Sequence, residues 1–72
     1  MPDLEIDARG LRCPLPVLKL EKALDGLPQG TRLTVRATDP MARIDIPLYC
    51  TQHRLSCAAR DENGVLIFEI VA

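Results

Sequence analysis

Asn63-Gly64 stands between two runs of strand-forming residues, and no other pair in the chain restricts the fold as much. A two-residue hairpin turn needs positive φ at both central positions, which Asn and Gly accept more readily than other residues. The pair therefore predicts an antiparallel hairpin. Its first strand is Leu55–Arg60, its turn Asp61-Glu62-Asn63-Gly64, and its second strand Val65–Val71. The second strand is apolar almost throughout (Val65, Leu66, Ile67, Phe68, Ile70), which suits a central, well-covered position.

The remaining segments are read against that hairpin. Leu4, Ile6 and Ala8 alternate with Glu5, Asp7 and Arg9, the period of a half-buried strand, and Gly10 ends it. A helix is predicted from Pro14 to about Gly26. Val17, Leu20, Leu24 and Leu27 recur at steps of three and four, and Gly26 and Pro28 stop it. Leu33, Val35 and Ala37 form a second alternating strand after a Gln29-Gly30 turn. Asp39-Pro40 reads as a helix start, with Asp39 as N-cap and Pro40 at the first helical position. This second helix runs to about His53. Pro47 inside it predicts a kink or restart, which Asp45 would cap.

The expected fold class is an α+β two-layer sandwich. Its order is β-α-β-α-β-β, with two helices on one face of a four-stranded mixed sheet and a right-handed first crossover. With 72 residues the chain is expected to be one domain, 1–72. Chains this short bury only about 60% of their unfolded surface, so the core is small. One Phe, one Tyr and no Trp suit a sheet covered by helices better than an aromatic-anchored barrel.

Net charge −1 gives no phosphate-binding footprint, which disfavours direct nucleic-acid binding. Met1-Pro2-Asp3-Leu4-Glu5 does not resemble a secretory signal, and no apolar run approaches the ~20 residues that span a bilayer. No membrane partner is expected, and the expected location is cytoplasmic. Cys13, Cys50 and Cys57 are an odd set, which reads as reduced thiols rather than a secreted disulfide framework.

Cys13 carries the candidate chemistry, within Cys13-Pro14-Leu15-Pro16. A residue before proline is pushed toward extended conformations, so Pro14 places Cys13 at or just before a helix cap. Pro14 and Pro16 fall where backbone N–H groups lack intrahelical partners, leaving the Leu15 N–H free to point at the sulfur. The positive end of the helix dipole, with Arg9 and Arg12 nearby, is expected to lower the thiol pKa. There is no Cys-x-x-Cys, because Pro16 stands where a resolving cysteine would. One exposed sulfur without a local partner suits a shuttle better than a dithiol oxidoreductase.

Other constellations are weaker. Cys50, His53 and Cys57 read as C-x2-H-x3-C, yet without an evident fourth ligand. Cys50 and Cys57 are expected to be structural, His53 a solvated residue ending the helix, and neither a metal nor a cofactor is expected. Asp39 and Asp45 read first as caps; a second role for Asp45 is to orient the loop around Cys13 from the same end of the sheet. Arg9, Arg12, Lys19, Arg36 and Arg43 are candidates for a positive rim around the thiol.

Asp7-Ala8-Arg9-Gly10-Leu11-Arg12-Cys13-Pro14-Leu15-Pro16-Val17 resembles the signature of the TusA/SirA-like sulfur-carrier family, which shares a Cys-Pro-x-Pro motif. Thr38-Asp39-Pro40 followed by Asp45-Ile46-Pro47 resembles the family's second segment. The resemblance covers nearly the whole chain. It implies the two-layer fold and a persulfide on Cys13, for which Pro14, Pro16, Arg9, Arg12 and Asp45 are the supporting residues read from the sequence above. It also implies a sulfur-donor protein (a cysteine desulfurase or rhodanese-like enzyme) and a sulfur-acceptor protein (DsrE-like or similar). Destinations in the family include tRNA thiolation, sulfur oxidation and cofactor sulfuration. Leu15 stands where tRNA-thiolation members carry an acidic residue, so the destination stays open. The alternative is a non-catalytic regulatory or protein-interaction module.

Overall fold

The computed structural model describes residues 3–72, so the reading of Met1 and Pro2 lies outside it. The elements are β1 (Asp3–Ala8), α1 (Leu15–Leu24), β2 (Arg32–Ala37), α2 (Ala42–Gln52), β3 (Ser56–Glu62) and β4 (Val65–Val71). The strands form one sheet in the order β1-β2-β4-β3. β1 and β2 are parallel, as a βαβ crossover through α1 requires, and the other two pairings are antiparallel. This is the α+β order expected from the sequence.

One face of the sheet is covered. Ile6 and Ala8, Leu33, Val35 and Ala37, and Leu66, Phe68 and Ile70 all turn inward and are buried. Leu20 of α1 and Ile46, Tyr49 and Cys50 of α2 close over them. The near-continuous apolar run of β4 follows from its central place between β2 and β3. Ile67 points to the opposite face and is still only 5% exposed. Its neighbours in register are Arg36 and Arg60, whose aliphatic stems can cover it.

The hairpin closes as a two-residue loop, with Glu62 opposite Val65. Asn63 and Gly64 have φ of 54° and 85°, the positive values that a type I′ turn demands. No atom stands within 4 Å of a Cβ built on Gly64, so only the backbone conformation penalises a side chain there. Gly64→Ala is therefore expected to cost about 1 kcal/mol. In a domain of this size that lowers Tm by about 4–8 °C, measured by circular dichroism.

Several features differ from the expectation: α1 is shorter, Leu15–Leu24, and β3 begins at Ser56. β3 runs on to Glu62, because the tight turn leaves Asp61 and Glu62 paired with β4. α2 starts at Ala42 rather than Pro40. Asp39 still accepts the Met41 N–H through Oδ1 at 3.1 Å, but a separate turn at Pro40–Met41 precedes the helix. Finally, α2 does not restart at Pro47, so Asp45 caps nothing. Pro47 removes one helical hydrogen bond, that to the carbonyl of Arg43, an exposed residue whose oxygen water can reach. Burial of Ile46, Tyr49 and Cys50 on either side of the proline holds the helix in one piece.

Candidate functional site

The link between β1 and α1 and the link between β2 and α2 meet at one end of the sheet, because parallel strands β1 and β2 both point there. The Thr38 Oγ1 accepts the Gly10 N–H at 2.9 Å, and Leu11 N–H bonds back to the Ala8 carbonyl at 3.2 Å. Asp39 Oδ2 then accepts the Cys13 N–H at 2.5 Å. The Asp39 carboxylate thus spans two segments, and these two hydrogen bonds hold its pKa below the ordinary value. The sequence had suggested only a cap at this position.

Cys13 is exposed. Its thiol donates to Asp45 Oδ2 of α2, with Sγ and oxygen 2.7 Å apart. Pro14 and Val17 of the α1 start, Glu21, and Leu48, Tyr49, Gln52 and His53 of α2 complete the groove in which Cys13 and Asp45 lie. The His53 ring stacks on Tyr49, with centroids 4.0 Å apart, and its Nδ1 lies 2.9 Å from the Tyr49 carbonyl oxygen. Sequence reasoning placed His53 at the helix end but missed its place in the groove. Its step of four from Tyr49 was the available signal.

The electrostatics reverse one expectation. The thiol pKa is raised, not lowered, first by the hydrogen bond to Asp45, then by desolvation and by the charges of Asp45 and Asp39. The helix start does not counter this. Leu15 N–H donates to the Arg12 carbonyl at 2.8 Å, so it does not point at the sulfur as the proline spacing had suggested. The residue in the cap position is Pro14, which puts Cys13 before the cap. A helix end supplies about half a charge spread over its first turn. Asp45 supplies a full charge in direct contact.

The other expected site residues divide. Pro16 is buried and anchors the start of α1 against the core, whereas Pro14 is exposed and lines the groove. Arg9 is turned to Asp7, bonding both carboxylate oxygens at 2.8 and 2.9 Å, and this holds Asp7 far below the usual carboxylate range. Arg36 pairs with Glu5 and Arg43 with Asp61, while Lys19 donates to the Asp7 carbonyl at 2.6 Å. Arg12 is exposed, and its charge acts on Asp39. A positive rim around the thiol is therefore not what these cations build.

Cys50 is 1% exposed, and its thiol is pushed up to about 12, mainly by burial. Cys57 is half-buried against the same core. Among the described residues, no three His, Cys, Asp or Glu side chains are grouped closely enough to hold a metal ion. No described helix is long and apolar enough to cross a membrane.

Fold and site together define a small α+β protein that presents one exposed thiol beside a carboxylate, with its other two cysteines buried or half-buried. The family described as "Sulfurtransferase TusA" matches residues 4–71. The chain is 44% identical over 70 residues to the sulfur carrier protein TusA of Pseudomonas syringae pv. syringae, covering 94% of this chain and 82% of that protein. It also superposes on the crystal structure of a SirA-like protein from Desulfitobacterium hafniense with a TM-score of 0.86, at 31% identity and over 96% of both chains. The chain belongs to the TusA sulfur-carrier family.

Proposed function

We propose that Cys13 accepts sulfane sulfur as a persulfide and passes it to a thiol of an acceptor protein. The supporting observation is that, of three cysteines, only Cys13 is exposed, while Cys50 and Cys57 pack into the core layer. A carrier of this kind needs one sulfur that two different proteins can reach in turn, and no neighbouring thiol to trap it as a disulfide. Large apolar side chains are exposed in the helix layer that carries the groove, and Leu48 lines it with Cys13. Leu15 and Leu18 on α1 and Met41, Ile44 and Leu48 at α2 are 46–59% exposed, which favours transient protein partners over a small-molecule substrate.

The donor in this reading is a cysteine desulfurase or rhodanese-like protein, and the acceptor a DsrE-like or similar protein, both in the cytoplasm. Arg12 and Pro14, beside the thiol and exposed, belong to the surface those partners meet; Pro16 supports it from beneath. The test is to incubate the chain with a cysteine desulfurase and cysteine and to weigh it intact. One added sulfur atom is expected, and Cys13→Ser should lose it entirely while folding normally. An adduct that persists in Cys13→Ser would move the carrier role to another residue.

A further inference from the structure

The carboxylate of Asp45 touches the one sulfur that is proposed to change state. We infer that Asp45 sets the direction of sulfur transfer, by stabilising the empty Cys13 thiol through its hydrogen bond and opposing the loaded persulfide anion through its charge. The inference rests on the carrier reading of Cys13.

The geometry distinguishes the two states. Empty, Cys13 carries a proton, and Sγ donates it to Asp45 Oδ2 at 2.7 Å. Loading with a small persulfide donor such as glutathione persulfide forms a bond from Sγ to the terminal sulfur and breaks the donor's S–S bond. The donor leaves as a thiolate and takes the proton that Cys13 gives up. The sulfane sulfur moves between two thiols without net oxidation, so no oxidant or reductant is needed. A persulfide is a stronger acid than a thiol, so the new terminal sulfur then loses its own proton to water. The loaded group is an anion with no proton to share, placed beside a carboxylate it can only repel.

The neighbourhood does not offset this. Facing the sulfur across the groove are Asp45 and Tyr49 on α2, Glu21 on α1 and His53 at the α2 end. Asp39 holds the Cys13 backbone, and Arg12 precedes Cys13. Asp39 and Asp45 already disfavour negative charge on the empty sulfur. Asp45 therefore lowers the free energy of the empty carrier and raises that of the loaded one. It also favours a loaded sulfur turned away from α2, toward an incoming acceptor.

The test equilibrates the chain, without oxygen at pH 7, with a fixed ratio of glutathione persulfide to glutathione, and measures loaded and empty Cys13 by peptide mass. Asp45→Asn keeps the shape and removes the charge. It should raise the loaded-to-empty ratio about ten-fold or more, the size expected for removing a close like charge. The same variant should shift the midpoint of Cys13 alkylation by iodoacetamide down by about one pH unit. Asp45→Ser must move both readouts the same way, and Asp45→Glu must stay nearer the wild type than either. A wild type that loads, with a ratio unchanged or lowered in Asp45→Asn and Asp45→Ser, overturns the inference and leaves the carrier reading intact. A wild type that takes no sulfur on Cys13 from this donor or from a charged desulfurase overturns both.

Discussion

Phe68→Ala is expected to leave about half of the chain unfolded at 25 °C. Phe68 is the only phenylalanine, is fully buried, and lies in the middle of the central strand with Val35 and Ala59 opposite it in register. Truncating a buried Phe costs about 3–5 kcal/mol, because transfer energy and a residual cavity add. A single core in a chain below about 70–80 residues rarely supplies more than about 3–5 kcal/mol in total. The two quantities nearly cancel, so the substitution should consume almost the whole margin. A urea titration followed by circular dichroism measures it. A transition midpoint close to the wild type's would mean that α1 and α2 can settle onto the sheet and close the space, and would refute a rigid two-layer core.

The second large effect concerns Cys50. In the native protein, iodoacetamide should modify Cys13 directly but reach Cys50 only when the structure opens. With an opening free energy of about 3–5 kcal/mol, Cys50 should be slowed roughly 10²- to 10⁴-fold relative to the unfolded chain. Quantitative peptide mapping after timed alkylation gives both rates. Equal rates at Cys13 and Cys50 would contradict the packing described above. The same burial has a pH signature. The Cys50 thiol holds its proton in the folded state up to about 12, against an ordinary value of 9.0. Between those values the unfolded chain has released that proton and the folded chain has not. The unfolded state binds fewer protons there, so Cys50 contributes a loss of stability as pH rises through that window.

The parts of the fold that local chemistry dictates were legible. Asn63-Gly64 fixed a turn because few residues accept positive φ twice in succession. The alternation of β1 and β2 showed which side chains turn inward, and the unbroken apolar run of β4 marked the strand paired on both sides. Cys13 was legible as the exposed cysteine because a loop position flanked by Arg12 and Pro14 is a poor place for a core residue. Its electrostatics were not. Asp45 was expected at the same end of the sheet, but its direct hydrogen bond with the thiol joins residues 32 apart and no local period reveals it. Only the parallel pairing of β1 and β2 brings the two loops to one end. Arg9 misled for a related reason. Its partner Asp7 is two residues back, and a short bidentate pair satisfied the guanidinium before the thiol could. The Leu15 N–H was assigned from an idealised helix start, whereas a tight turn through Arg12 uses it.

The placement of β4 also bears on how the protein is made. β4 is the last element in the chain, yet it is the strand to which both β2 and β3 are bonded. Until it has left the ribosome, β3 has no partner and β2 is bonded along one edge only. The loop carrying Cys13 and the turn of α2 carrying Asp45 have by then emerged. Assembly should therefore wait for β4, and nascent chains shorter than residue 65 should remain protease-sensitive. The sheet beneath Cys13 is complete only when β4 pairs with β2 on one side and draws in β3 on the other.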